Sequence, residues 1–127
     1  MKKPKSHVVG EKKTASYDIL LIGVKRLKGD LKKRIAERVD TMFRDGWMEE
    51  VQSVLSRGYR ASDPALKSHG YREIIEYLDE IERSGSDPDL ETMQTMLKKK
   101  IASKTSQYAK RQMTWWGHDE RIHWVSV

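Results

Sequence analysis

Cationic and aromatic side chains follow one another near the C-terminal end of the chain, and such side chains could together bind a polyanion. Lys110 and Arg111 precede the paired indoles of Trp115 and Trp116. Ammonium and guanidinium groups neutralise phosphates, and indole rings stack on unpaired bases. This pattern favours nucleic-acid binding, and a solvated helix face is the alternative that it leaves open.

The cations upstream of the tryptophans have helical spacing. Lys100, Lys104 and Arg111 are separated by four and seven residues, so they would lie on one side of a helix, with Lys110 flanking them. Such a face can track phosphates without reading base sequence. Adjacent helical positions cannot easily both point inward, so one tryptophan can pack inward, and the other is a candidate stacking platform or a contact with structure outside this sequence.

A second constellation is the segment Ser68-His69-Gly70-Tyr71-Arg72-Glu73, which follows Lys67. A glycine inside a helix costs about 1 kcal/mol relative to alanine, so it often marks a close approach of another backbone or a ligand. Tyr71 and Arg72 would then offer a stacking ring and a phosphate donor. Helix–helix packing at Gly70 is the open alternative.

Two arginines of the predicted first helix could bind a diphosphate. Arg34 and Arg38 are four residues apart and would project together. Paired guanidinium groups suit phosphate or pyrophosphate oxygens. Ion pairing with the neighbouring Glu37 and Asp40 explains the same arginines equally well.

Several other chemistries are excluded or disfavoured. The chain has no cysteine, its four histidines lack a metal-ligand spacing, and no Gly-x-x-x-x-Gly-Lys-Ser/Thr phosphate loop or nucleophile elbow occurs. No run of about 18 apolar residues could span a membrane. The absence of cysteine suits a cytoplasmic protein.

Four helices and two strands must position these groups. The apolar runs in 17–24 and 121–125 predict two strands, which would belong to a sheet with further members outside this sequence. Asp63-Pro64 and Asp87-Pro88 predict the starts of the third and fourth helices, Gly85 ends the third, and the fourth would run about 28 residues to Trp115 or Trp116. The predicted fold is therefore mainly α with two short strands.

The net charge of +6 is unevenly distributed. Residues 1–16 contain five lysines and one glutamate without apolar periodicity, so we expect a flexible basic tail there and a single folded segment over 17–127. The charge is thus concentrated in the tail and in the fourth helix. This uneven distribution of positive charge is consistent with a polyanionic partner.

Residues 17–125 resemble the C-terminal portion of the tRNA dimethylallyltransferases. The resemblance rests on the order and spacing of landmarks, none of which is specific alone. These are the strand 17–24, Arg34-Ile35-Ala36-Glu37-Arg38-Val39-Asp40, Gly46-Trp47-Met48-Glu49-Glu50-Val51, Gly70-Tyr71-Arg72-Glu73, Thr105-Ser106-Gln107-Tyr108-Ala109-Lys110-Arg111-Gln112-Met113-Thr114-Trp115, and His123-Trp124.

The resemblance implies an activity and a fold. The family transfers a dimethylallyl group from its diphosphate to the adenosine 3′ of the tRNA anticodon, with Mg²⁺, on an α/β fold resembling P-loop kinases. This chain would be the C-terminal part of that fold, with the phosphate-loop half absent, so we expect no catalytic residue and no Mg²⁺ ligand in it. Its expected partners are the tRNA anticodon stem-loop and a separate N-terminal half, but no membrane.

The resemblance also implies site residues. Arg38 would lie near the diphosphate, and two segments would contact the anticodon stem-loop. The residues are Lys67, Ser68, His69, Gly70, Tyr71 and Arg72 in the first, and Lys104, Lys110, Arg111, Gln112, Thr114, Trp115 and Trp116 in the second. Ser106, Gly117 and His69 depart from the residues usual in the family, and the first two replace arginines. A stand-alone helical RNA-binding protein and an inactive remnant are the alternatives.

Overall fold

Two strands and four α-helices make up most of the described chain. The computed structural model describes residues 17–84 and 89–127. In chain order the elements are β1 (Leu21–Lys25), α1 (Lys28–Arg44), α2 (Trp47–Ser56), α3 (Tyr71–Ser84), α4 (Leu90–Trp116) and β2 (Ile122–Ser126), with a 3-10 turn (Pro64–Lys67) before α3. The prediction of a mainly α fold with two short strands is confirmed. The predicted basic tail, the helix stop at Gly85 and the start signal Asp87-Pro88 lie outside the described residues.

The helices build the hydrophobic core. On α1, the side chains of Ile35, Val39 and Phe43 are buried at intervals of four residues, which places them on one helical stripe. Tryptophan, valine, isoleucine, leucine and tyrosine side chains from α2, α3, α4 and the 3-10 turn close the core around that stripe. Among residues 17–84 and 89–127, no strand residue belongs to this core.

The third helix begins later than the sequence predicts. Pro64 begins only the 3-10 turn, and the backbone at Ser68 is extended. Gly70 then has a φ of +92°, a left-handed conformation that a helix interior does not use. The prediction of one helix starting at Asp63-Pro64 and containing Gly70 is therefore wrong, because α3 starts at Tyr71.

The fourth helix has close to its predicted length. It covers 27 residues and starts directly after Asp89. The Asp89 carboxylate accepts a hydrogen bond from the Thr92 backbone N–H at 3.1 Å, which satisfies one of the free donors at the helix start. Lys110 to Trp116 thus form the last two turns of a long, continuous helix.

The two strands pair with each other in parallel. Leu21 lies opposite Ile122 and Lys25 lies opposite Ser126, so the ladder has five residue pairs. The Trp124 ring lies directly over Gly23, where any Cβ atom would collide with it. The helices pack on one another and the strands pack chiefly on each other.

Candidate nucleic-acid interface

The fold brings the two predicted RNA-binding segments together. The His69 ring, just before α3, contacts the Tyr108 ring of α4 edge to face, with 5.4 Å between the ring centroids. The Arg111 guanidinium lies 5.9 Å from the centroid of the same tyrosine ring. His69, Tyr108 and Arg111 therefore form one surface, at which the segment 67–72 meets α4.

A buried carboxylate joins these two segments. Glu73 is only 2% exposed, and its two oxygens accept hydrogen bonds from the Gly70 backbone N–H and the Lys104 ammonium, each at 2.6 Å. Burial alone would raise the pKa of Glu73, but the hydrogen bonds from Lys104 and Gly70 outweigh it and lower the pKa. The Glu73 carboxylate is thus ionised and fixes the start of α3 to the middle of α4.

Gly70 is also held from the other side. A Cβ atom built on Gly70 would collide with Cη2 and Cζ2 of Trp47. Trp47 itself is buried between Phe43 and Tyr71, with ring centroids 5.7 and 5.8 Å away. Gly70, directly before α3, therefore packs closely on Trp47 at the start of α2, while RNA contact at this residue stays a prediction.

The basic residues of α4 fall into two groups. Lys98 pairs with Asp40 of α1 at 3.1 Å, and Lys100 pairs with Glu76 of α3 at 2.9 Å. Together with Lys104, these cations are matched by carboxylates of neighbouring helices. The hydrogen bond from Lys100 is the main reason why the pKa of Glu76 is lowered. Lys98, Lys100 and Lys104 therefore use their charges within the fold, whereas no carboxylate of the described residues lies within 4.0 Å of the Lys99 ammonium.

The second group has no such partners. Among residues 17–84 and 89–127, no carboxylate lies within 4.0 Å of the cationic groups of Lys67, Lys110 or Arg111. Trp115 is 80% exposed and Trp116 is 50% exposed. Neither tryptophan packs inward, so both indoles are accessible, and Trp115 follows Arg111 by four residues on the same helix.

Most of the other predicted contact residues make hydrogen bonds within their own segments or to neighbouring side chains. The Tyr71 hydroxyl donates to Glu50 Oε1 at 2.7 Å, a bond that raises the pKa of this tyrosine, and Arg72 Nε lies 3.1 Å from Glu76. The hydroxyls of Ser68 and Thr114 donate to backbone carbonyls of their own segments, and Gln112 is exposed. Tyr71 is half-buried against Trp47, so its ring is less open for stacking than the tryptophans.

The two arginines predicted to bind diphosphate differ in their surroundings. Arg34 Nε lies 3.1 Å from Asp30, which also binds Arg26. Arg38 is exposed, and within the described ranges no carboxylate lies within 4.0 Å of its guanidinium. Surface pairing thus applies to Arg34, although with Asp30 instead of Glu37 or Asp40.

A groove next to this surface was not predicted. It has a volume of about 600 Å³ and lies between the start of α1 and the second half of α4. Leu31 and Met113 contribute apolar walls, while Lys28, Lys32 and Lys110 supply cations. One sequence signal could have found this groove. Arg26, Lys28 and Lys32 closely follow β1, and open α/β sheets bind ligands at the carboxyl ends of their parallel strands.

The described residues contain neither a metal-binding cluster nor a membrane-spanning helix. No group of three or more His, Asp or Glu residues in 17–84 and 89–127 could hold a metal ion. Over the same residues, no helix is both long and apolar enough to cross a bilayer. The described residues therefore do not fit a Mg²⁺ site.

Comparison with known proteins identifies the class. The family model described as IPP transferase matches residues 1–119, and the chain therefore belongs to the IPP transferase family. Its curated relatives include two tRNA dimethylallyltransferases. The one of Alkaliphilus metalliredigens is 40% identical over 115 residues, and the one of Alkaliphilus oremlandii is 40% identical over 111 residues. These matches cover 91% and 87% of this chain but 34% and 32% of the relatives. The chain thus spans about a third of the length of the curated relatives it matches.

Solved structures agree with this assignment. The tRNA delta(2)-isopentenylpyrophosphate transferase of Staphylococcus epidermidis superimposes with a TM-score of 0.71 at 30% identity, over 87% of this chain and 33% of that one. The full-length tRNA isopentenylpyrophosphate transferase of Bacillus halodurans gives a TM-score of 0.68 at 30% identity, over 88% and 33%. The fold described above is therefore part of the fold of these enzymes.

Proposed function

We propose that this chain acts in tRNA modification as the C-terminal, tRNA-binding segment of a tRNA dimethylallyltransferase. It would hold the anticodon stem-loop while a dimethylallyl group passes from its diphosphate to the adenosine 3′ of the anticodon. The chain alone would not catalyse this transfer, because we assign neither the phosphate loop nor the general base to any of its residues. They would come from the rest of a P-loop-kinase-like fold.

One observation carries the proposal. The His69 ring contacts Tyr108 of α4, the Arg111 guanidinium lies over the same tyrosine ring, and the exposed indoles of Trp115 and Trp116 follow in the next turns of the helix. Unpaired loop bases can stack on the indoles while Lys110 and Arg111 neutralise neighbouring phosphates. Lys104 would act mainly through Glu73, by keeping the two segments in register.

The diphosphate has a weaker basis in this chain. Arg38 is an unpaired, exposed cation of α1, whereas Arg34 is already paired with Asp30. We therefore assign Arg38 the larger share of any diphosphate contact made by this pair. The dimethylallyl diphosphate would be held mainly by residues outside this chain.

RNA binding by the purified chain tests this proposal. We expect an anticodon stem-loop RNA to bind, with affinity falling at least about tenfold between 50 and 200 mM salt, because Lys67, Lys110 and Arg111 would release counterions from several phosphates. Trp115→Ala should weaken binding by about 1–3 kcal/mol through lost base stacking. Fluorescence anisotropy measures both effects.

The matched control for Trp115→Ala is Tyr59→Ala. Tyr59 is a comparably exposed aromatic residue, but it lies in the loop after α2. We expect it to leave RNA affinity unchanged, and we expect both variants to leave the free energy of unfolding unchanged within about 0.5 kcal/mol. Equal losses of affinity in the two variants, or a salt dependence below about tenfold, would argue against the proposed interface.

A second function is favoured by the closed helical core. Because no strand residue of the described ranges belongs to the core, the helices could act as a stand-alone RNA-binding protein. That function predicts RNA binding without any partner and no gain of prenyl transfer when the remainder of the family fold is supplied. A chain that neither unfolds cooperatively nor binds RNA would instead be an inactive remnant.

A further inference from the structure

The imidazole ring of His69 lies where the segment 67–72 meets α4, and it has no polar partner there. The side chain is exposed, and its ring contacts Tyr108 edge to face. Within residues 17–84 and 89–127, no hydrogen bond and no carboxylate within 4.0 Å engages its ring nitrogens. Both nitrogens are therefore free to meet a ligand that approaches this surface.

The unpaired charges around His69 are positive. The Arg111 guanidinium lies 5.9 Å from the centroid of the tyrosine ring that His69 contacts, and Lys67 precedes His69 by two residues. Over the described ranges, neither cation has a carboxylate within 4.0 Å. An anionic ligand drawn to these two cations would therefore also come close to the imidazole.

The carboxylates of the neighbouring elements are engaged by other donors. Each of three glutamates on α2 and α3 accepts hydrogen bonds from a side chain or a backbone N–H other than that of His69. These glutamates are Glu50, Glu73 and Glu76. An anion that pairs with His69 would therefore come from a bound partner.

We propose that His69 binds a backbone phosphate of the RNA as an imidazolium ion, so that RNA binding by this chain takes up a proton. The phosphate would be one of those that Lys67 and Arg111 bring to this surface. The proton comes from solvent and returns to it when the RNA leaves, and no covalent bond of the RNA changes. The inference rests on the proposed function and deepens it by assigning one cation of the RNA site and the pH dependence of binding.

The sign of this pH dependence follows from linkage. A phosphate beside an imidazole favours its charged form, so the complex holds more protons than the free chain between pH 5 and 8, where histidine ordinarily titrates. RNA affinity must then rise as the pH falls. We expect an anticodon stem-loop RNA to bind about tenfold more tightly at about pH 5.5 than at about pH 8.

Fluorescence anisotropy of the full chain with this RNA, at constant ionic strength, tests the proposal. His69→Gln should bind like the wild type at the alkaline end and about tenfold more weakly than the wild type at the acidic end, because glutamine cannot acquire the charge. His123→Gln is the matched control, since His123 is also exposed but lies on β2. This control should keep the wild-type pH dependence.

Proton uptake can also be measured directly. Isothermal titration calorimetry in two buffers of different ionisation enthalpy should show uptake of up to about one proton per RNA in the wild type and little in His69→Gln. The C2 proton resonance of His69, assigned by its loss in His69→Gln, should titrate at higher pH when RNA is bound. A role limited to packing on Tyr108 would move neither readout.

The other outcomes each decide the question. Weaker binding of His69→Gln by the same factor at every pH would overturn the proposal, because it would show a structural role. His118 follows Trp116 by two residues, and a pH dependence lost in His118→Gln but kept in His69→Gln would overturn it as well. RNA binding that is independent of pH would overturn the inference and leave the proposed function standing, whereas no RNA binding at any pH would contradict both.

Discussion

Gly70→Ala is expected to lower the free energy of unfolding by about 2–5 kcal/mol. Alanine pays about 1–2 kcal/mol for the left-handed backbone at this position. Its methyl group must also displace the Trp47 ring, which is packed against Phe43 and Tyr71, and overpacking of this kind costs about 1–3 kcal/mol. Urea unfolding followed by tryptophan fluorescence and circular dichroism measures the loss.

Two other glycines separate these contributions. Gly58 has a φ of +91° with no atom near a built Cβ, so Gly58→Ala should cost only the backbone term. Gly29 lies in α1 with open space and an ordinary φ, so Gly29→Ala should be neutral or slightly stabilising. If Gly70→Ala lowered the free energy of unfolding no more than Gly58→Ala does, the Trp47 ring would move aside at little cost and would not fix the segment before α3.

Glu73→Gln is expected to destabilise the chain by about 1.5–3 kcal/mol. The substitution keeps the shape of the side chain but removes the charge that accepts hydrogen bonds from Lys104 and Gly70, and bonds to charged groups have about this value. Lys104 is partly exposed and can reach water, which keeps the loss below that of a fully buried unpaired charge. Chemical denaturation at neutral pH measures it.

Glu76→Gln is the matched control for this substitution. Glu76 lies three residues further along α3, binds Arg72 and Lys100, and is exposed, so its loss should cost no more than about 1 kcal/mol. A double-mutant cycle of Glu73→Gln with Lys104→Met should show coupling between the two residues. Independent, additive effects would contradict the role of this ion pair in joining α3 to α4.

The same carboxylate makes stability depend on pH. The folded-state pKa of Glu73 is lowered, so its contribution is present above the ordinary glutamate pKa of about 4.3 and is lost as the pH falls through the folded-state pKa. The wild-type free energy of unfolding should therefore fall more steeply below about pH 4.3 than that of Glu73→Gln. If the free energy of unfolding fell equally steeply with acid in the two proteins, this would contradict the ionised, hydrogen-bonded state of Glu73.

Local sequence patterns predicted the elements of this fold well. The apolar runs identified both strands, and helical periodicity identified four helices, including the 27-residue α4. The start of α3 was missed because the signal at Asp63-Pro64 produced only a 3-10 turn, and the left-handed backbone of Gly70 cannot be read from residue type alone. Such a conformation depends on what packs against the glycine, here Trp47.

The candidate site was less predictable because its key contacts are tertiary. Glu73 and Lys104 are 31 residues apart, and no local pattern shows that one basic face of α4 is matched by carboxylates of α1 and α3 while its last turns are not. The groove beside α1 depends in the same way on how two helices pack. The RNA-binding roles of the individual residues stay predictions.

Dimethylallyl transfer to an anticodon stem-loop RNA is the measurement that tests the central claim most directly. It compares this chain alone, the N-terminal part of a relative alone, and the two together, with RNA binding measured in parallel. The division of labour proposed here predicts RNA binding by the chain alone and transfer only by the combination. Transfer by the chain alone, or RNA binding that is absent from the chain and present in the N-terminal part, would contradict it.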